Sequence, residues 1–251
     1  MELGWLCKEE KDVEAAKTFL EQGLTIRKAI AKDGENPKTD WGLVSYYKGL
    51  GEIHLLESDW ENARNYFAQE LALRKIIAKE MRCNSYKEDL AACYGNLGET
   101  YSNKNDFPQA EECLKQCIDI RRTIAEETLD PFDLQKLANG YSGLADVYKK
   151  AGDVFGAGNL YRQALSLLLG IIEKHPFYTI DQVPSVYSDI AFNYYGLAQT
   201  MPAKVRLLFK NNERIEYLQK AAEIYEILCR KEPSNEGYKQ KLSEVRTLLN
   251  T

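Results

Sequence analysis

Two histidines in 251 residues, seven prolines and no CxxC pair set the first limits on this sequence. A structural zinc site gathers four Cys or His ligands at short spacings. The six cysteines, Cys7, Cys83, Cys93, Cys113, Cys117 and Cys229, follow no such spacing and no small disulfide scaffold. They read as small buried apolar residues in a reducing cytoplasm, with Cys113 and Cys117 on one helix face. No Gly/Ser-rich run marks a long disordered linker. No apolar run approaches the roughly 20 residues that cross a bilayer, and "MELGWLCKEEKD" lacks the basic-then-apolar order of a signal peptide. With a net charge of −5 and no basic stripe, nucleic acid is not expected as a partner. Neither a phosphate-binding G-x-x-x-x-G-K-[ST] nor a strand followed by G-x-G-x-x-G occurs.

What is present is repetition. "KGLGEIHLLESDWENARNYF" from Lys48, "GNLGETYSNKNDFPQAEECL" from Gly95 and "SGLADVYKKAGDVFGAGNLY" from Ser142 start 47 residues apart. Leu3-Gly4, Leu50-Gly51, Leu97-Gly98, Leu144-Ala145 and Ile190-Ala191 keep the step, the last one residue early. Tyr47, Tyr94, Tyr141 and Tyr187 stand three residues before the large apolar residue of the last four pairs. Ala16, Ala63, Ala110 and Ala157 share the period, as do Arg27, Arg74 and Arg121, and Ile30, Ile77, Ile124 and Ile171.

Each unit reads as two helices. Leu90, Tyr94, Leu97 and Tyr101 recur at helical spacing, "NKND" or "KAGD" supplies turn and capping residues, and Phe107, Ala110, Leu114, Cys117 and Ile118 resume the pattern. Short polar connections, "EMRCNSYKE" and "EETLDPFD", are expected between units. Nothing alternates with period 2, so no strand is expected. A small residue after Leu lets the second helix lie close against the first, and such a pair must stack on the next to bury its other face.

The aromatic, the Leu-Gly three residues on, the Tyr three after the Gly, the Gly-Asp turn and the later Ala-aromatic-Ala resemble the tetratricopeptide repeat. Tyr141, Leu144, Ala145, Tyr148, Gly152-Asp153, Ala157, Tyr161 and Ala164 carry the likeness best. It implies an all-α, right-handed helical-repeat solenoid of about five antiparallel helix pairs. The units span approximately 1–39, 40–86, 87–133, 134–180 and 181–233, and a capping helix over 234–250 starts at Ser234 or Asn235. The family's ordinary unit has 34 residues. The 13 extra fall in stretches such as "LALRKIIAKE", which predicts longer helices, about 21 residues and roughly 30 Å, rather than long loops. In the fifth unit "MPAKVRLLFKNNE" replaces the turn, and the register returns at Leu218, Ala221, Tyr225 and Leu228. That insertion, with Lys204, Arg206, Lys210 and Arg214 around four apolar residues, reads as packed on the last repeat in preference to an exposed binding element. Leu3-Gly4 belongs midway along a first helix, so either the chain is cut from a longer protein or that helix is abbreviated. An end without a cap is a place for self-association.

No catalytic constellation or cofactor is expected. "GDVFGAGNLY" is the repeat's own turn and second helix. His54 stands where other units carry Tyr101, Tyr148 and Tyr194, which predicts packing between helices, and His175 lies in a connection. The resemblance instead implies a concave groove lined by first helices, faced by residues one, five and eight positions after the leading aromatic. These are Lys48, Glu52 and Leu55; Gly95, Glu99 and Ser102; Ser142, Asp146 and Lys149; Ser188, Phe192 and Tyr195, with Leu56, Asn103 and Lys150 at the edge. Glu52, Glu99 and Asp146 form an acidic file with an apolar end at Phe192 and Tyr195, suited to a protein or peptide segment with basic and apolar residues. The family's carboxylate clamp puts asparagine where these acids stand, so an acidic tail is disfavoured. The expected function is a non-catalytic, cytoplasmic protein- or peptide-binding scaffold. The alternatives are a regulatory sensor domain of a larger signalling protein and a structural self-association module.

Overall fold

The computed structural model describes residues 13–32, 40–201 and 212–250. Every regular element among them is an α-helix: α1 (Val13–Lys32), α2 (Trp41–Leu56), α3 (Trp60–Met81), α4 (Asn84–Asn103), α5 (Phe107–Thr128), α6 (Pro131–Lys150), α7 (Val154–Lys174), α8 (Pro184–Thr200), α9 (Asn212–Lys231) and α10 (Glu236–Leu249). Leu3-Gly4 and the insertion after Met201 lie outside the described residues. The second helices α3 and α5 have 22 residues and α7 has 21, so the surplus over the ordinary repeat length is helix, as the sequence predicts.

The turns inside the pairs repeat to the residue. Ser58, Asn105 and Gly152 all have positive φ, at 59°, 60° and 91°, and stand one repeat apart. In each case the next residue is the aspartate that caps the second helix. Asp59, Asp106 and Asp153 accept from the backbone N–H three residues on, at 3.2, 3.4 and 2.8 Å. The connections between pairs are shorter than the polar stretches suggest. Left-handed Arg82 and Leu129, again one repeat apart, end α3 and α5, and α4 and α6 begin two residues later. The polar residues around them are therefore helix ends rather than loop. One repeat further stands Pro176, whose ring forbids that conformation, and there α7 and α8 are joined by residues 175–183.

Two compact units make up the chain, Met1–Ile120 and Arg121–Thr251, with α5 contributing to both. In the first, α2 and α3 run antiparallel with Gly51 under the Phe67 ring; a Cβ on Gly51 would lie 2.6 Å from it. Gly98 of α4 lies under Leu114 of α5 in the same way, at 2.7 Å from Cγ and 3.3 Å from the Ala110 carbonyl. Ala16, Ala63, Ala110 and Ala157 are all fully buried. His54 is buried and stacks on Tyr66 at 5.4 Å between ring centres, as its place in the repeat predicts.

Successive pairs are joined by a basic dipeptide on the second helix. Arg27 Nε donates to Asp40 at 2.8 Å, Arg74 Nη1 lies 2.9 Å from Asp89, and Arg121 Nη1 donates to the Lys136 carbonyl at 3.1 Å. The adjoining cation meets the leading tyrosine of the next pair. Lys28 stands over Tyr47 at 5.3 Å, Lys75 over Tyr94 at 5.4 Å, and Arg122 donates to the Tyr141 hydroxyl at 3.2 Å. Leu168 and Leu169 replace the dipeptide in α7, and Tyr187 instead donates to the Tyr178 carbonyl in the longer connection, at 3.1 Å.

The second unit closes on Leu218, Ala221, Tyr225 and Leu228 of α9, all buried, and on α10, where Asn235 caps and Leu242 and Val245 are buried.

Gly98→Val is expected to cost about 2 kcal/mol by overpacking against Leu114 and the Ala110 carbonyl. Gly170→Ala, with nothing within 4 Å of the added carbon, gains up to about 1 kcal/mol of helix propensity. Urea denaturation separates the two signs. Arg74→Ala strands buried Glu70 and is expected to cost about 3 kcal/mol or more, whereas Arg121→Ala loses a bond to a carbonyl and costs about 1 kcal/mol. The same titrations measure both.

Candidate functional site

In the first unit the expected groove residues lie on α2 and α4. Lys48 and Glu52 sit one turn apart, 3.8 Å between charged atoms, with side chains 40% and 22% exposed. Leu55 packs against the cluster of Ala63, Phe67, Leu97 and Cys113, while neighbouring Leu56 is exposed. Glu99 is exposed, Asn103 is half-buried and Ser102 is buried. The two acids are flanked along their own helices by buried residues, Leu50, Gly51 and Ile53 around Glu52 and Leu97, Gly98 and Thr100 around Glu99.

In the second unit the corresponding positions divide by spacing. Those five after the tyrosine meet the second helix: Asp146 accepts from the Tyr161 hydroxyl at 2.5 Å, and Phe192 lies edge-on to the Tyr161 ring at 6.4 Å. Those one and eight after it meet the next first helix. Ser142 donates to Asn193 at 2.9 Å and is buried, and Lys149 donates to Gln199 at 2.9 Å while also pairing with Asp146 at 2.9 Å. Tyr195 is buried, with Lys241 of α10 over its ring at 5.7 Å. With Gln135, which donates to Asp189 at 2.7 Å and Ser185 at 3.3 Å, these bonds form a ladder at seven-residue steps, 135, 142 and 149, between α6 and α8. Asp146, Lys149 and Phe192 remain partly exposed.

The titrating groups are set by burial. Desolvation raises Asp189, opposed by hydrogen bonds from Gln135 and Asn139. It raises Tyr195 and Tyr161, helped by Glu244 and Asp146 respectively. It also pushes the Cys113 thiol up to about 11 and raises Cys93, so both stay protonated and unreactive at neutral pH.

Beneath the face of the first unit lies a charged network that the repeat pattern alone did not mark. Glu70, 1% exposed, accepts from Arg74 Nε at 2.5 Å, and burial raises its carboxyl against the pull of Arg74. A signal was available: the matching positions one and two repeats on are Cys117 and Ala164, so a charge there is out of pattern. Gln135, Asn193 and Gln199 were missed for a different reason, since their bonds depend on which first helices become neighbours.

Comparison with known proteins bears on the fold. Two family models, each described as tetratricopeptide repeat, match residues 90–127 and 1–30. No curated protein sequence matches. Among solved structures, a point-substituted form of a putative kinesin light chain from Podosopora anserina, described as having nearly identical TPR-like repeats, superposes with a TM-score of 0.63 at 19% identity, over 91% of this chain and 94% of that one. The apo form of RapI gives 0.66 at 13% identity over 99% of this chain and 57% of that one. At these identities the likeness is one of fold. Together with the 47-residue register and the pairwise helix packing, it gives the chain a tetratricopeptide-repeat-like fold, in a long-repeat form.

Proposed function

We propose that the chain is a non-catalytic protein-binding scaffold whose first-helix face takes an extended or helical segment bearing basic and apolar residues. One observation carries this reading. In the first unit, half-buried Glu52 and exposed Glu99 hold the same repeat position, on helices whose adjoining residues are buried. A charge kept at a repeated surface position, beside half-buried Leu55 and exposed Leu56, offers a cation partner and an apolar contact within one helical turn. Asp146 and Phe192 supply the same pairing in the second unit, around Tyr161. An acidic segment would meet repulsion at Glu52 and Glu99 on the first unit, and at Asp146 on the second.

Non-catalysis is supported by how the ionisable groups are held. The carboxylates of the face are exposed or paired with lysine, half-buried Asp189 is held by amides, and the Cys93 and Cys113 thiols are raised away from reactivity.

Glu52→Lys combined with Glu99→Lys is expected to abolish partner capture while moving the melting temperature by only a few degrees, because substitutions at solvent-reached helix positions change stability by roughly 0.5 kcal/mol or less. Quantitative mass spectrometry of proteins retained from native lysate by the two forms provides the comparison. An unchanged set of retained proteins would place the binding surface elsewhere.

A further inference from the structure

One pair of facing positions changes character between units. The antiparallel register is fixed where Gly51 meets Phe67 and Gly98 meets Leu114. About one turn away, a Cβ on Gly95 would lie 3.8 Å from the Cys117 sulfur. Carried by the 47-residue step, the Gly95–Cys117 position becomes Ser142–Ala164 in one direction and Lys48–Glu70 in the other. Two positions that are small and uncharged elsewhere thus hold a lysine over a buried glutamate.

Neither side chain is fully committed. Lys48 makes no hydrogen bond among the described residues; its nearest carboxylate oxygen, on Glu52, is 3.8 Å away and the lysine side chain is 40% exposed. Glu70 Oε1 takes Arg74 Nε, but Oε2 is buried with no hydrogen-bond partner among the described residues. Arg74 is itself shared with Asp89 of α4. The groups facing Glu70 are Arg74 on its own helix, Lys48 from α2 and the Cys93 thiol from α4. A desolvated carboxylate oxygen without a donor is costly, and a mobile ammonium with three donors is the group able to relieve it.

We propose that Lys48 is a movable cation that makes the first unit selective for a basic partner: a Lys or Arg of the bound segment takes Glu52, and Lys48 turns inward to donate to Glu70 Oε2. The inference rests on the first-helix face being the binding surface. The exchange leaves Glu52 with a cation and gives each oxygen of Glu70 a donor, Arg74 on Oε1 and Lys48 on Oε2, so a basic ligand gains the relief of Glu70 as well as its own contact with Glu52. An acidic ligand draws Lys48 outward and leaves Glu70 as it was.

The test is a double-mutant cycle on the full chain. The probe is a fluorescein-labelled peptide of alternating arginine and leucine, with its glutamate–leucine counterpart as control, followed by anisotropy at fixed salt. Glu52→Gln is expected to weaken the basic peptide about tenfold, the worth of a charge-assisted hydrogen bond. Glu70→Gln is expected to weaken it by about the same factor when Lys48 is present and to leave it unchanged in a Lys48→Met background. Equal losses in both backgrounds, or no loss in either, overturn the movable lysine while leaving the surface in place. A Glu52→Gln form that binds as tightly as the parent, or a parent that does not prefer the basic peptide, overturns the surface reading itself. Should Glu70→Gln lose its helical circular dichroism, Glu70→Ala, the residue found at Ala164, completes the same cycle.

Discussion

The contact on which the rest depends is a small residue of a first helix lying beneath a large residue of its partner. Gly51 under Phe67 and Gly98 under Leu114 leave no room for a side chain, and Ala145 and Tyr161 hold the matching positions one repeat on. A glycine inside a helix sacrifices about 1 kcal/mol of propensity. Burial of Phe67 and Leu114 more than offsets that loss, at roughly 1.5–3 kcal/mol for each large side chain. The contact also sets the register of the whole pair, because sliding one helix by a single residue would drive a side chain into the Phe67 ring or the Ala110 carbonyl. From that register follows which residues face each other a turn away, including Gly95 over Cys117 and Lys48 over Glu70.

A second set of contacts links one pair to the next, and its failure at one junction is instructive. At three junctions an arginine bonds the following first helix while the neighbouring cation meets that helix's leading tyrosine. A two-residue link with a left-handed residue accompanies two of these junctions, after α3 and after α5. After α7 both devices are lost together: Leu168-Leu169 stands for the basic dipeptide and Pro176 for the left-handed residue. The chain then needs the longer connection, and the Tyr178 carbonyl supplies Tyr187 with the partner that a basic side chain supplies elsewhere. Turn chemistry and side-chain chemistry at that junction are thus two parts of one substitution.

Much of the fold was legible because it is periodic. Helix pairs, the extension of second helices, the Asp caps, the return of register at Leu218 and the Asn235 cap all follow from residues at fixed steps. The link lengths were misjudged because Arg82 and Leu129 carry no compositional mark of a left-handed turn, which glycine would have given. The placement of the candidate residues was legible in part. Glu52, Glu99 and Asp146 were marked by periodic charge, but the burial of Ser102, Ser142 and Tyr195 depends on contacts with neighbouring helices. Ser142 is covered by Asn193 and Tyr195 by Lys241, and no rule internal to one helix identifies those partners.

Glu70 brings the energetic question into focus. Burying a carboxylate beside an arginine rarely stabilises a fold relative to apolar residues of similar size, since desolvation consumes most of the attraction. The same fold shows the cheaper solutions at matching positions, Cys117 and Ala164, both buried. Packing therefore does not require a charge at residue 70. Arg74 does not require it either: Arg27 and Arg121 perform the same joining role with Asp40 and a backbone carbonyl. In the following unit that demand is met without a buried acid, and in the preceding one by Asp40, which is buried but caps α2 rather than standing at the position of Glu70. What Glu70 adds is a second carboxylate facing Lys48, the lysine that also lies beside Glu52, and under the proposed exchange its use is in binding rather than in folding.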